Sequence, residues 1–526
     1  NYNTKSYGMS LSGTVIEDRL RARASVYEHR SDGYMRNSFL HRDDTQKIDE
    51  LTAKLQLAWR VSDEHLIDFA FRHLDITNGY DAFSLDNSRT SHADEIGIDA
   101  QRTNAFAIKS NYQMNEAMHL VSKLSHSQSN LVYAYDEDWS YIGEFPEQFS
   151  PYSAFDSYKR EKIQNDIDIK LMGDAEGRIF DDSTDWTLGF YCKKYKEKLL
   201  REYSYFEKPF SSTYDTSNTV VYGQFDTAID DKMVLVSGLR LESWNAKYSD
   251  SQELNIENDE VLVGGKLGLS YEENSQTLYY AYLSKGYKPG GVNADSRLIT
   301  DAKSYYTENL WNLELGINSS YLEDTLINRF NIFYGKREDQ QVKSSIVSTR
   351  EDGSQNFIGY LANAGKSHYY GLESQMDWYL SERIHFYSSI GLLQSTFDTY
   401  IDPNPLALNV EGRTPAHSPE YQYVIGFDMT FWEGWIWKSN LEAKGAYYFS
   451  NRHDEKSDAY TLVHSSLEYT IGNWSVVAWI RNITNIDYQT RGFGSFGNNP
   501  SNGYEVERYT QQGTPRTAGL TLSYDF

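Results

Sequence analysis

An all-β chain, folded as a transmembrane antiparallel β-barrel of the 22-strand type with about 21 strands present, is the fold class that three observations predict. Apolar residues make up only 39% of the chain and mean hydropathy is -0.65, yet aromatics reach 15%, with 43 Tyr and 11 Trp. A membrane barrel reconciles these values, because it places rings at both water–lipid interfaces and polar groups inside. Apolar and polar residues alternate with period two from end to end, as in strands with two unlike faces. The connections between strands are of two kinds, short and long, the asymmetry of turns on one side of a membrane and loops on the other. No run of 18 apolar residues occurs, which excludes a helical span.

The elements follow in order. A first strand is expected at residues 5–15. In "LTAKLQLAW" Leu51, Ala53, Leu55, Leu57 and Trp59 share one face, and Thr52, Lys54 and Gln56 the other. In "VYGQFDTAI" Val221, Phe225 and Ile229 alternate with Tyr222, Gln224 and Asp226; in "GLESQMDWYL" Leu372, Met376, Trp378 and Leu380 oppose Glu373, Gln375, Asp377 and Tyr379. Charge on one face throughout means that this face is wet. The closing "GLTLSYDF" sets Leu520, Leu522, Tyr524 and Phe526 against Thr521, Ser523 and Asp525. Lipid offers no partner to an unpaired edge, so this strand, over about 512–526, is expected to close the barrel with Phe526 at the periplasmic rim.

Ten turn-like connections punctuate the chain: "TVIED", "VSDEH", "MNEAM", "IDDKM", "EENSQ", "YLEDT", "YLSER", "WEGW", "IGNW" and the longer "DAEGRIFDDSTD". Between them lie aromatic, Gly-rich stretches at 78–101, 137–157, 289–303, 340–357 and 489–506, read as outer loops. A propeller is disfavoured because no blade period recurs. Residues 1–526 therefore read as one barrel domain. Single-chain bacterial barrels have even strand numbers, so one further strand, with whatever precedes it, is expected to be missing or supplied separately.

A net charge of -25 and a pI near 4.9 argue against nucleic acid, whose phosphates need clustered Lys and Arg. Cys192 stands alone and forms no internal disulfide; it reads as a small strand residue. "NYNTKSYGMS" is not a signal peptide. Enzyme motifs fail. "GFGSFG" matches a dinucleotide pattern at Gly492, Gly494 and Gly497, but "NNPSNG" follows instead of a helix. The twelve His show no HExxH or zinc-type spacing, and His126, His368 and His417 read as lumen or loop residues. No catalytic residue and no metal ligand is expected.

Candidate ligand contacts fall in three places. The segment 133–158 is crowded with Tyr135, Trp139, Tyr141, Phe145, Phe149 and Tyr152; rigid rings offer contact area at small entropic cost. They suit sugars, or catechol and heterocyclic rings, or one another. The acidic trio Asp136, Glu137 and Asp138 offers oxygens for Ca²⁺ without the regular spacing of a dedicated loop. Cations among aromatics form the second and third: Lys285, Tyr287 and Lys288, with Arg337, Lys343 and Arg350 beyond, and then Arg491, Phe493 and Phe496. Arg pairs bidentately with the oxygens of an anionic ligand; pairing with lumen carboxylates is the rival use.

With these segments the chain resembles the TonB-dependent outer-membrane receptors, in the branch that includes many ferric-siderophore receptors. The resemblance covers essentially the whole chain and rests on "NYNTKSYGMSLSG", "LSKGYKPGGVN", "ENLWNLELG", "NAGKSHYYGLE", "GRTPAHSPEY", "RNITNIDYQTRGFG" and "GTPRTAGLTLSYDF", in that order. It implies a 22-stranded barrel in the bacterial outer membrane, among lipopolysaccharide and other outer-membrane lipid. It also implies a small-molecule ligand, and a plug, normally encoded before the first strand, that couples to the TonB–ExbB–ExbD complex. Here the plug would be truncated from the sequence or carried by another chain. The implied cargo is a ferric siderophore, with an oligosaccharide or cobalamin as alternatives and a passive porin as the reading from another class. "DPNPLALN" only echoes the family's haem motif, so haem is disfavoured and no cofactor is expected.

Overall fold

The computed structural model describes residues 2–146, 153–293, 298, 302–349 and 355–526; Phe149, Tyr152 and Arg350 lie outside them. Twenty-one strands form one sheet, an antiparallel meander from Lys5–Ile16 to Thr517–Tyr524 in which each strand bonds to the next in the chain. Among the described residues no helix is long and apolar enough to cross a membrane.

The ten short connections join the first strand to the second, the third to the fourth and so on, and therefore all lie at one end of the sheet. Tight reversals there use left-handed backbone, as at Gly434 (φ 74°) and Gly472 (φ 55°). The opposite end carries the long loops, though not at every connection. Connections 204–209 and 251–254 are as short as turns, because their flanking strands Thr184–Tyr203, Phe210–Ala228, Met233–Asp250 and Asn255–Asn274 run to 18–20 residues. A membrane needs only about 9–11 residues per strand, so the remainder stands above it.

Two sequence expectations need correction. The described residues of the stretch 340–357 are strand rather than loop: Leu326–Thr349 and Gln355–Ser381 continue as a paired ribbon from Gln340↔Gly365 to Thr349↔Gln355. Outside lipid a strand is freed from apolar–polar alternation, and here inward residues of both arms pack with Phe397, Tyr400 and Val410 into a buried cluster that includes Val342, Ile358 and Tyr360. The last strand also begins later than residue 512. Glu507–Gln512 belongs to a separate ribbon with Gln489–Phe496, and Gly513–Arg516 carries the chain back to the sheet.

The two faces differ as a barrel wall requires. Leu188, Phe190, Val221 and Leu267 are exposed on the outer face. On the opposite face Tyr191 donates to Asp166 (2.6 Å) and Tyr222 to Asp168 (2.7 Å). An aromatic girdle follows the turn end, where Trp474 packs on Tyr524 (4.7 Å between centroids) and Trp435 on Tyr469 (4.5 Å). Tyr524 and Phe526 extend that girdle, their ring centroids 6.2 Å apart. Two buried apolar clusters lie at the loop end, and a third, Trp244, Ala246 and Leu262, lies on the inner face of strands Met233–Asp250 and Asn255–Asn274.

Candidate functional site

Three loops far apart in sequence are knitted together at the loop end. Asn87 accepts from the Thr510 amide at 2.6 Å and donates to the Arg508 carbonyl at 3.0 Å; Asn498 donates to the Glu137 carbonyl at 2.9 Å. These bonds bring Phe83, Trp139, Phe493, Phe496 and the fully buried Tyr509 into one aromatic cluster. Phe83 stacks on Trp139 (5.2 Å) and touches Phe493 (4.9 Å), while Trp139 meets Tyr509 edge-on (5.0 Å). Gly492 is a packing glycine there, since a Cβ would fall 2.4 Å from the Phe449 ring. The pattern in "GFGSFG" therefore has a structural cause.

Arg491 caps this cluster. Its guanidinium lies over Phe493 (5.3 Å) and Phe83 (5.9 Å), and Nη1 donates to the Tyr80 hydroxyl (3.1 Å). Two further cations converge on it, Lys343 from the extended ribbon and Arg452 from the 445–459 loop. Arg452 Nε donates to Ser450 Oγ at 3.2 Å. Among the described residues none of the three has a carboxylate partner. Enclosure by the loops, then the like charges of Arg452 and Arg491, pushes the Lys343 ammonium below its ordinary value, although its surface stays open to water. Burial and the Arg491 charge do the same to Arg452. In a chain of net charge -25, a cluster of cations without carboxylate partners among the described residues stands out against the prevailing charge.

Beside it, burial and the charges of Arg452 and Arg413 hold the His453 imidazole down at about 4. Nδ1 accepts the Glu455 amide (3.2 Å), which assigns the proton to Nε2, and Nε2 is buried without a partner. Arg413 is spent differently, on Asp454 (2.6 Å) and the carbonyls of His453 and Ser450.

The other candidates are dispersed. Tyr135 and Tyr158 both donate to Asp156, which Arg201 grips through two bonds of 2.9 and 2.7 Å. Tyr141 stacks on Phe39 (4.3 Å), and Phe145 is half-buried in the same loop. Tyr287 donates to Glu242 (2.7 Å) and accepts from Arg240 (2.9 Å); Arg337 is paired with the buried Glu308. Lys285 and Lys288 stand opposite Trp311 and Glu308 in strand register. Asp136 and Asp138 accept from the amides of Asp138, Trp139, Glu95 and Ala154, so these oxygens cap the loop backbone. Sequence reasoning missed Phe83, Tyr509, Arg452 and His453. Their loops carry no periodic signal, and their selection is made by tertiary contacts.

The fold defines the class, a large outer-membrane β-barrel whose long loops gather at one end. Residues 3–483 match the family described as TonB dependent receptor-like, beta-barrel, and the chain belongs to that family. The pesticin receptor of Yersinia pestis is 24% identical over 371 residues, covering 68% of this chain and 50% of that protein. The chain thus spans about half the length of the curated relatives it matches. Among solved structures, the ferric yersiniabactin uptake receptor FyuA from Yersinia pestis superposes with a TM-score of 0.81 at 19% identity, covering 99% of this chain and 78% of that one. The siderophore receptor PiuA from Acinetobacter baumannii gives 0.78 at 13% identity, covering 99% and 80%.

Proposed function

We propose that the intact receptor takes up an anionic ferric chelate of the siderophore class, captured beside Lys343, Arg452 and Arg491. A plug coupled to TonB, ExbB and ExbD then admits it. The observation that carries this reading is the convergence on an aromatic platform of three cations without carboxylate partners among the described residues, in a strongly acidic chain. An oligosaccharide or cobalamin would use the rings but leave the cations uncompensated. The likeness to a ferric yersiniabactin receptor supports iron as cargo. The barrel's own part is selection and containment: charge steers the chelate to the mouth, and the planar guanidiniums orient its oxygens.

The test is growth and radioactive-iron uptake in cells carrying the intact receptor or a deletion, supplied with ferric catecholate, hydroxamate and citrate chelates in turn. Loss of uptake of one anionic chelate on deletion, and again in an Arg452→Gln/Arg491→Gln variant that still reaches the membrane, is expected. Growth unaffected on every iron source but lost on one glycan or on cobalamin overturns the reading.

A further inference from the structure

The inner wall carries a second basic region, well below the loop end. Strands Lys5–Ile16, Leu20–Ser31, Ile48–Ser62, His65–Tyr80, Gly97–Asn115 and Met118–Asp136 are neighbours in the sheet. Leu55, Phe106, Ile108 and Leu124 are exposed on their outer face, so alternation turns the residues between them to the lumen. The inward cations include Arg21, Arg23, Lys54, Arg72, Lys109 and Lys123, all exposed there. Around them the inward residues are small, Ala70, Ala105, Ala107, Ser125 and Ser127, which leaves a recess along the wall.

Register sets like charges face to face at two places: Lys54 opposite Arg72, and Lys109 opposite Lys123. Like charges directly opposite destabilise a sheet, and none of the four forms an ion pair with a carboxylate among the described residues. Asp68 is in register with Lys109 and Asp168 with Lys123, but Asp168 is taken by Lys170 (3.4 Å) and Tyr222 (2.7 Å). Arg23 reaches the Ser10 hydroxyl (3.3 Å). The wall across the lumen is the converse. Glu314, Glu373, Asp377 and Asp428 point inward there, with Arg329 among them. Rings crowd that side: Tyr280 donates to Glu314 (2.8 Å), and Tyr369 lies so flat over Gly335 that a Cβ would fall 2.1 Å from its Cζ.

We infer that this small, basic wall is the side of the lumen along which the captured anionic ferric chelate descends. The inference rests on the anionic-chelate reading above and extends it from capture to passage. Arg491 bonds Tyr80 (3.1 Å), and Tyr80 is the upper end of the strand that carries Arg72 on the same inward face. From residue 80 to residue 72 is about 26 Å at roughly 3.3 Å per residue, and less once the strand tilts. Below Arg72 the cations continue through Arg23 and Arg21 to Lys109 and Lys123, toward the turn end. Charge selects the wall, since an anion is drawn to this side and repelled by Glu314 and Glu373. Space selects it too, because alanines and serines line this side and rings the other. A line of cations from the capture site to the turn end suits an anion in transit better than a fixed acidic face.

The test uses cells carrying the intact receptor, supplied with radioactive ferric catecholate, hydroxamate and citrate chelates. Surface binding is read in de-energised cells and uptake velocity in energised ones. For the chelate that wild type transports, Lys54→Gln/Arg72→Gln and Lys109→Gln/Lys123→Gln should each leave surface affinity unchanged, which also shows that the variants fold. Each should lower uptake velocity at saturation about tenfold, the low end of what field focusing in a charged cleft supplies. Lys54→Arg/Arg72→Lys keeps both charges and should transport at the wild-type rate, and Glu314→Gln/Glu373→Gln should not lower it. Wild-type velocity in both glutamine variants, or an equal loss in the carboxylate variant, overturns the inference. So does entry of large hydrophilic antibiotics into cells carrying the glutamine variants, which would assign the wall to an acidic protein face packed on it. If wild type binds no anionic chelate, the capture reading falls and this inference with it; normal capture with unaltered velocity overturns this inference alone.

Discussion

Arg491 lies 5.9 Å above the ring of Phe83, more than 400 residues earlier in the chain, and hydrogen-bonds Tyr80 at 3.1 Å. The pair joins the first and last parts of the loop end into one platform. Removing the guanidinium while keeping the hydrogen-bonding shape isolates its charge. Arg491→Gln is expected to weaken binding of an anionic ferric chelate about tenfold, the worth of one charged hydrogen bond of roughly 1.5 kcal/mol. Arg491→Lys should recover only part, because Lys loses the planar stacking. Tryptophan-fluorescence titration reads both, and rising ionic strength should weaken wild type more than Arg491→Gln.

The loop that presents Trp139 should tighten as pH falls. Asp138 is 1% exposed, and burial raises its carboxyl to about 6; burial and the Asp138 charge raise Asp136 as well. A carboxyl whose folded pKa exceeds its unfolded value near 3.9 gives stability that is full below about 4 and is lost as pH rises through the folded value. Hydrogen exchange at the Trp139 and Ala154 amides, corrected for intrinsic rates, should show greater protection at pH 5 than at pH 7. Asp138→Asn keeps an acceptor for Ala154 and should reduce the difference, with Asp136 left to titrate; an unchanged slope in that variant would assign the effect elsewhere.

The barrel was legible in the sequence because lipid imposes a rule on every residue that faces it. Leu188, Phe190 and Val221 must be apolar, their neighbours Tyr191 and Tyr222 need not be, and all ten turns followed from that alternation. The rule ends at the membrane surface. Residues 340–349 and 355–365 form strands that alternation did not mark, because Val342, Ile358 and Tyr360 answer to a local loop core. The site was legible only in part for the same reason. Rings and cations at 139, 491, 493 and 496 stood out by type, but nothing local to Lys343 or Arg452 says that they converge on Arg491.

Asp156 is 1% exposed and its only charged partner among the described residues is Arg201, at 2.7 Å. Breaking the pair from one side leaves a buried carboxylate uncompensated, and Arg201→Met should cost about 3 kcal/mol in urea unfolding from detergent. Tyr135→Phe removes one neutral donor to the same carboxylate, and about 1 kcal/mol is expected. Because Tyr135 points at Asp156 (3.2 Å), chelate affinity in Tyr135→Phe should match wild type. A loss of affinity at unchanged stability would place Tyr135 in the ligand site instead.

The lumen wall makes the last prediction sharp. Tyr222 lies flat across Gly189, so that a Cβ at Gly189 would fall 2.1 Å from Cζ of the ring, and its hydroxyl is fixed on Asp168 at 2.7 Å. The ring cannot lift without losing that bond. Gly189→Ala should therefore destabilise the barrel by about 2 kcal/mol, overpacking and a lost hydrogen bond together. Gly13, on strand Lys5–Ile16, has nothing within 4 Å of its built Cβ; Gly13→Ala should be neutral or gain about 0.5 kcal/mol from reduced freedom of the unfolded chain. Introduced into Tyr222→Ser, Gly189→Ala should cost almost nothing, since the space is then free. A penalty for Gly189→Ala that persists in the Tyr222→Ser background would show that the strand backbone, and not the ring laid over it, demands glycine.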